Sequence, residues 1–545
     1  VILEKLQLEV AEQLAAWAKG EGLEKPAPLV LVTPPPHVKA DVSLPWPLAT
    51  GKALKRKPLD VAAKAAEVVG AQGVVEAAEP IPPGFVNVRL ALPSLCANLL
   101  SLVKEPQLYG RAAALTARKV LIEFVSANPT GPVHLASGRA ATLGDSLVRI
   151  LKRRGHEAAS EFYVNDAGRQ VTLLGESVLA RYKQAQGEEV EIPEGGYQGD
   201  YIKDLAAAVP AEASSWEATD FGKFAVGKML EQHKADMENF GVLFDRWYLE
   251  SELHASKALD STLAELKKLG HVKEHEDAIW LDTSSGEDDK DRVLIRSDGR
   301  PTYLLADIAY HRDKISRGWT ELIDIWGADH HGYVARMSDA ITALGHKKGT
   351  FRVIIHQLVR LFRGKEAVKM SKRAGQFLTL RSLVEEVGLD ACRFFFARHT
   401  PNAHMNFDIE LAKKKTQENP VYYVQYVHAR IASIFRTAAE QGITTSFDNA
   451  AVLGRLTHDS ERALLVKMAW FPHVLEACEK ERSPHPLANY LMELAGLYHP
   501  FYEQCHVLEP KDAELTQARL TLCEGVRALI AEGLGLLGVS APEKM

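Results

Sequence analysis

Apolar positions recur along this chain with two periods, and the period changes where the architecture changes. The opening "LEKLQLEVAEQLAAWAK" repeats its large apolar residues every three or four positions, the spacing of one helical face, whereas "LVLVTPP" and "GFVNVRLAL" have strand character. With the helical "SLCANLLSLV" and the turn-like "PQLYG", residues 1–110 read as a small α+β module. From Lys119 onward, strand-like runs alternate with turns and helical runs: "KVLIEFVSA", "EFYVND", "RVLIRS", "LIDIWGAD" and "FRVIIHQLV". This alternation predicts a Rossmann-like α/β domain over residues 111–385, with a doubly wound, mostly parallel sheet and its ligand at the C-terminal strand ends. A mainly helical stretch at about 170–285, with "PEGGYQGDY" and "SSGEDDKDR", reads as an insertion. Beyond about residue 385 no strand is expected. Runs such as "NPVYYVQYVHARIASIFRTAAE" and "LTLCEGVRALIAEGLGLLG" predict an all-α bundle over 386–545.

Composition narrows the class. A length of 545 residues suggests three or four domains, and the apolar (46%) and charged (25%) fractions are those of an ordinary globular enzyme. The net charge of -6 means that any nucleic acid must be held by local basic patches. Cys96, Cys392, Cys478, Cys505 and Cys523 are scattered without a CxxC pair, which argues against a disulfide framework and a cysteine-based zinc ribbon. No long uncharged apolar run and no signal-peptide pattern is present, so a cytoplasmic protein without a membrane partner is expected.

Chemistry concentrates in two stretches. In "FVSANPTGPVHLASGRAATLGD" (124–145) a strand breaks at Pro129-Thr130-Gly131-Pro132 and a helix begins near Leu135. The first N–H groups of such a helix point into a crevice and favour an anion. His134 and Ser137 stand at that mouth, and Gly131 and Gly138 remove bulk where a ligand would approach. For a lone serine or histidine a capped core helix is the plainer reading. The second stretch, "KEAVKMSKRAGQF" (365–377), follows the last sheet strand and carries Lys369, Lys372 and Arg373, suited to clamping a departing polyphosphate. Alone it would be equally at home as a solvated surface. The pair together favours phosphate chemistry.

"PVHLASGR" and "KMSKR" resemble the HIGH and KMSKS signatures of class I aminoacyl-tRNA synthetases. With "GRPTYLLADIAYHRDKI", "IWGADHHGYVARM", "NPVYYVQYVHARI" and "LGLLGVSAPEKM", the chain resembles the arginyl-tRNA synthetase family nearly end to end. That resemblance implies activation of L-arginine by ATP, transfer to the 3′-terminal adenosine of tRNA(Arg), and a need for bound tRNA even in the first step. It also implies an N-terminal module contacting the outer corner of tRNA and a helical anticodon-binding domain. Mg²⁺ would arrive with ATP, and no structural zinc is expected.

By the same resemblance, His134 donates to ATP phosphates at a site that also includes Gly131, Ser137 and Gly138. Lys369 and Lys372 neutralise pyrophosphate, while Ser371 and Gly375 let their loop close. Asp307 and Tyr303, four apart on one helical face, would contact the guanidinium, although Asp307 alone would pass for an exposed helix carboxylate. Glu123 and Asn128 would hold the amine and carboxylate of arginine, with Asp329 a further pocket residue. The signature departs from the family in His134-Leu135-Ala136-Ser137, where a hydroxyl replaces the second imidazole. Tyr422, Tyr423, Tyr426 and Arg430 suit either anticodon bases or a core-facing aromatic stripe. A monomer is expected. A non-aminoacylating tRNA or nucleotide binder and a class I enzyme of other specificity are the alternatives, and arginine-dependent ATP consumption separates them.

Overall fold

In the computed structural model, which describes residues 1–35, 37–112, 116–283, 286, 290–368 and 378–545, the strand Lys119–Glu123 lies at the centre of a five-stranded sheet. The order across the sheet is Phe351–His356, Glu321–Gly327, Lys119–Glu123, Glu157–Val164 and Arg246–Leu249, and every neighbouring pair is parallel. The chain runs outward from the central strand on one side, then returns to build the other. Strand order therefore reverses between Lys119–Glu123 and Glu321–Gly327, which opens a crevice at their C-terminal ends.

Strand alternation sorts side chains between two cores. Val120, Ile122, Ile323 and Ile325 pack into the core that includes the helix Leu135–Arg154. Leu121 and Leu322 pack with the helices Tyr303–Ser316 and Val334–Ala343 on the opposite face. By the same parity Glu123 and Asp324 face the helix Tyr303–Ser316.

Several expectations need correction. "RVLIRS" is not in the parallel sheet: Arg292–Ile295 pairs antiparallel with Ala278–Leu281 in a separate three-stranded sheet. The connection between them is ten residues long, enough for an antiparallel return but short for a parallel crossover. Conversely, Arg246–Leu249 lies inside the stretch read as helical insertion yet forms the edge strand of the main sheet, paired with Glu157–Val164. Four residues are too few to show a period. The helices Arg169–Ala185, Asp200–Ala207 and Ala218–Asn239, with a small core of their own, are thus an enlarged crossover between adjacent strands.

In the N-terminal module a three-stranded antiparallel sheet orders Val42–Leu44, Phe85–Leu90 and Val75–Ile81. "LVLVTPP" contributes only a single bridge, Val32 to Ser43, because the following prolines have no N–H to continue a ladder. Beyond residue 385 one strand does occur: Met405–Asp408 pairs parallel with Val359–Arg363 after the helices Leu380–Val387 and Leu389–Ala397. The bundle follows, with Pro420–Glu440, Asp459–Ala469, Phe471–Glu481, His485–Gln504 and Ala513–Leu536. Among the described residues no helix is long and apolar enough to cross a membrane.

Arg393, fully buried, ties these parts together. Its Nε donates to the Leu537 carbonyl (2.8 Å) and Nη1 to the Phe240 carbonyl (3.0 Å), while Nη2 pairs with Asp145 on the helix Leu135–Arg154. Removing the carboxylate strands a buried cation. Asp145→Ala is expected to cost about 3 to 5 kcal/mol and Asp145→Asn, which keeps an acceptor, less. Thermal unfolding of the two variants checks this ordering, and equal midpoints for Asp145→Ala and the parent protein would contradict it.

Candidate active site

A cavity of about 380 Å³ opens where strand order reverses, with Glu123, Ser126, Ser137, Asp307, Asp324 and Tyr333 in its walls. Its floor is charged. Glu123 and Asp324 are direct neighbours in register on adjacent strands. Between them sits Lys314, whose Nζ donates to Glu123 Oε2 (2.5 Å) and Asp324 Oδ1 (3.0 Å). His311 reaches Asp324 Oδ2 at 2.9 Å through Nε2, and its Nδ1 lies 2.7 Å from the Asp307 carbonyl oxygen. Asp307, His311 and Lys314 are four and three residues apart, hence on one helical face.

Burial raises the Glu123 carboxyl above the usual range, against the pull of Lys314. For Asp324 burial acts upward too, but Lys314 and His311 outweigh it and the carboxyl is lowered. Lys314 is raised, since the carboxylates overcome the cost of burying it. The backbone at the strand end is strained: Val125 and Ser126 take φ of 71° and 40°, a left-handed region unusual for a β-branched residue. This turn lets Ser126 Oγ donate to Glu123 Oε1 (2.8 Å), while Ser126 Oγ accepts from the Tyr163 N–H (3.1 Å).

Asp307 differs from these paired carboxylates. Its hydrogen-bond partner is the phenol of Tyr333, which donates to Oδ2 at 2.5 Å. Burial raises its pKa, with the Tyr333 hydrogen bond opposing and the nearby Glu250 adding to the rise. Glu250, itself buried, lines the neighbouring cleft rather than this cavity.

At the opposite wall His134 caps the helix Leu135–Arg154, its Nδ1 accepting from the Ala136 N–H at 3.1 Å. That bond leaves the proton of the neutral ring on Nε2. His134 forms an antiparallel bridge with Thr379, and the Leu380 N–H donates to the Val133 carbonyl at 2.9 Å. Lys369, Ser371, Lys372, Arg373 and Gly375 lie outside the described residues, but their loop re-enters the described chain at Leu378, against the His134 segment.

Other candidates fall elsewhere. A side chain at Gly138 would meet Leu380 Cδ1 at 2.6 Å and Phe396 at 3.0 Å, so this glycine admits helix packing rather than a ligand. Gly131 lies under the ring of Tyr201. Tyr303 is 72% exposed and lines a neighbouring cleft with Glu250, Arg296 and Arg300. It begins its helix, about 6 Å along the axis from Asp307. Asn128 donates to Gln170 Oε1 (2.8 Å) outside the cavity wall, and Asp329 is solvent-exposed beside His330. In the helix Pro420–Glu440 the core stripe is Val421, Val424, Val427 and Ile431, and the tyrosines lie half-buried outside it. Tyr422 stacks near Tyr426, and the exposed Arg430 guanidinium covers the rings of Tyr426 (5.5 Å) and Tyr502 (4.5 Å). Tyr423 packs against the core, whereas Tyr422 and Tyr426 are half-buried and Arg430 is exposed.

Three family models match successive parts of the chain: the arginyl-tRNA synthetase N-terminal domain over residues 4–90, the class I (R) tRNA synthetase catalytic domain over 98–207, and the DALR anticodon-binding domain over 424–545. The arginine–tRNA ligase of Elusimicrobium minutum is 48% identical over 545 residues, covering 100% of both chains. The chain belongs to the arginyl-tRNA synthetase family. The Carboxydothermus hydrogenoformans arginine–tRNA ligase is 43% identical over the full length of both chains. In fold, the Thermus thermophilus arginyl-tRNA synthetase superposes with a TM-score of 0.78 at 23% identity, covering 99% of this chain and 100% of its own.

Within this synthetase fold the sequence reading missed Tyr333, Glu250 and the His311–Lys314–Asp324 set. The signal for the last was present: Asp324 interrupts the apolar "LIDIW", and His311 and Lys314 continue the face of Asp307. Lys314→Met is expected to lower stability by about 3 to 5 kcal/mol at neutral pH, because two buried carboxylates lose their common cation. Their folded pKa values would then lie above the unfolded ones. The variant should regain stability as pH falls and lose it as pH rises. Denaturation midpoints between about pH 5 and pH 8 test the sign, and a parallel offset from the parent protein across that range would contradict it.

Proposed function

We propose that this protein is an arginine–tRNA ligase in which the crevice at the strand reversal activates L-arginine with ATP and passes it to the 3′-terminal adenosine of tRNA(Arg). One observation carries this reading. Asp307, a half-buried carboxylate with no ion pair among the described residues, shares a cavity with a helix mouth that is tied by backbone bonds to the end of the second signature loop.

The guanidinium pairs with Asp307, and Tyr333 fixes the angle of the carboxylate. Glu123 keeps lone pairs beyond those used by Lys314 and Ser126 and takes the substrate ammonium with help from Asn128. Tyr303 and Asp329 stand at the rim, where closing over arginine would bring them in. The arginine carboxylate then attacks the α-phosphorus in line with departing pyrophosphate, a step governed by positioning and charge stabilisation. His134 Nε2–H, the Ser137 hydroxyl and the helix N–H groups receive phosphate oxygens. Ser137 donates one hydrogen bond without charge, so its share is smaller than that of a second imidazole. Lys369 and Lys372 neutralise pyrophosphate as Ser371 and Gly375 let the loop close. Mg²⁺ comes on the ATP phosphates. The Glu123, His311 and Asp324 ligand atoms lie within 4.8 Å of one another, but Lys314 already supplies the positive charge there.

Residues 1–110 meet the outer corner of the tRNA, 111–385 carry catalysis, and 386–545 read the anticodon through Tyr422, Tyr426 and Arg430. The protein acts in the cytoplasm as a monomer. Arginine-dependent exchange of pyrophosphate into ATP, measured with and without tRNA(Arg), tests the proposal. Exchange is expected only with tRNA. Its absence with tRNA would overturn the function, and full exchange without tRNA would overturn the tRNA requirement.

Asp307 adds a pH signature. Its raised pKa means that protons compete with the guanidinium at less acidic pH than for an ordinary aspartate, so the KM for arginine should climb as pH falls from about 7 to 5. Asp307→Asn should raise KM about a hundredfold and flatten that climb. A slope unchanged in the variant would assign the pH dependence to another group.

A further inference from the structure

We infer that the enlarged crossover is a bracket that holds the turn before His134 and the helix Leu380–Val387 at a fixed separation, with Tyr201 on Asp200–Ala207 and His233 and Asp236 on Ala218–Asn239 as positioning residues for the activation step. This rests on the function proposed above.

The turn before His134 is poorly able to hold itself. Pro129 and Pro132 have no N–H, and the Thr130 N–H is spent locally on the Asn128 carbonyl. Two successive carbonyls of this turn are instead bound from the crossover. Tyr201 Oη donates to the Thr130 carbonyl at 2.8 Å, and His233 Nε2 donates to the Gly131 carbonyl at 2.7 Å. His233 is fully buried, and its Nδ1 has no hydrogen-bond partner among the described residues, so the ring is committed to this one bond. Gly131 leaves room for the Tyr201 ring, whose hydroxyl lies 3.2 Å from where a Cβ would stand.

Three residues along the same helix face, buried Asp236 accepts from Arg381 Nε (2.8 Å) and lies 2.7 Å from its Nη2. Arg381 belongs to the helix Leu380–Val387, which starts where the second signature loop ends and whose Leu380 N–H binds Val133. The contacts close a ring: turn to crossover helix, crossover helix to Arg381, and Leu380 back to the turn. A closed ring of part-buried bonds constrains the helix mouth and the start of Leu380–Val387 together. Displacing an anion-binding mouth by a fraction of an ångström is costly to an in-line displacement. The arginine end, built on Tyr303–Ser316 and the strand ends, is not part of this ring.

Tyr201→Phe, His233→Leu and His233→Gln in the full-length protein test the bracket. His233→Leu should lower kcat/KM for ATP about tenfold or more and Tyr201→Phe about threefold, with the KM for arginine within about twofold in both. His233→Gln, whose side-chain N–H reaches the same carbonyl, should recover most of the loss. Hydrogen exchange gives a readout independent of activity: amides of residues 130–138 should exchange faster in His233→Leu and Tyr201→Phe, while those of Lys119–Glu123 stay as in the parent. If His233→Leu fails to fold, Tyr201→Phe decides by the same two readouts. Unchanged ATP kinetics and unchanged exchange would overturn the inference. So would a loss spread equally over ATP and arginine and not recovered by glutamine. Failure of the functional proposal would show instead as a parent protein without arginine-dependent turnover, with exchange still deciding the bracket.

Discussion

One ammonium group sets the geometry on which the site depends. Parity places Glu123 and Asp324 side by side on adjacent strands, where two like charges repel, and only the Lys314 Nζ between them turns that repulsion into attraction. The strand ends are thereby held at the spacing that defines the crevice. His311 completes the set, its Nε2 at Asp324 Oδ2 and its Nδ1 at the Asp307 carbonyl oxygen. Buried ion pairs seldom stabilise more than apolar residues of equal volume. What this set supplies is direction, since each side chain has one place to go.

The same helix face then presents a carboxylate that is left unsatisfied. Glu123 and Asp324 share a cation, whereas Asp307 has a phenol. A carboxylate desolvated without a cation is a site for one, and a planar, five-donor guanidinium fits it better than a point charge. Discrimination follows from the groups left unpaired when the wrong ligand binds. In the role proposed for Asp307, a neutral analogue would leave the carboxylate with the Tyr333 phenol alone, and such loss of a partner is a strong basis for rejection.

The parts of this design that were legible in the sequence are those with long periods or dense motifs. The alternation from Lys119 gave four of the five parallel strands, and the break at Pro129–Pro132 gave the helix mouth. Arg246–Leu249 and Met405–Asp408 were missed because four residues carry no period, and "RVLIRS" was misplaced because strand propensity does not say which sheet a strand joins. At the site, the resemblance put both Asp307 and Tyr303 in the pocket, whereas only Asp307 lines this cavity and Tyr303, one turn nearer the helix start, lines the neighbouring cleft. Gly138 was read as space for a ligand when it is space for Leu380 and Phe396, a tertiary fact that no local pattern encodes. Lys314 stayed hidden because its meaning lies in two carboxylates far away in sequence.

Charge is also divided between the two ends of the sheet. At the N-terminal strand ends Arg118 donates to Glu321 (2.6 Å) and pairs with Glu479, which also binds Arg154 (3.2 Å) and His156 (3.0 Å). Glu479 belongs to the bundle, so these contacts fasten bundle to sheet at the end away from the chemistry. The N-terminal module rests on the same bundle, through Arg462, which pairs with Asp41 and donates to the Leu90 carbonyl (2.7 Å). Both modules proposed to touch tRNA are therefore joined to each other and meet the catalytic sheet at its chemically silent end. The helix Leu135–Arg154 runs the whole distance, about 30 Å for its 20 residues. Its first turn carries His134 and Ser137, and its last carries Arg153 and Arg154, held by Glu532 and Glu479 of the bundle. The helix thereby joins the bundle contacts at its last turn to Ser137 in the cavity wall at its first.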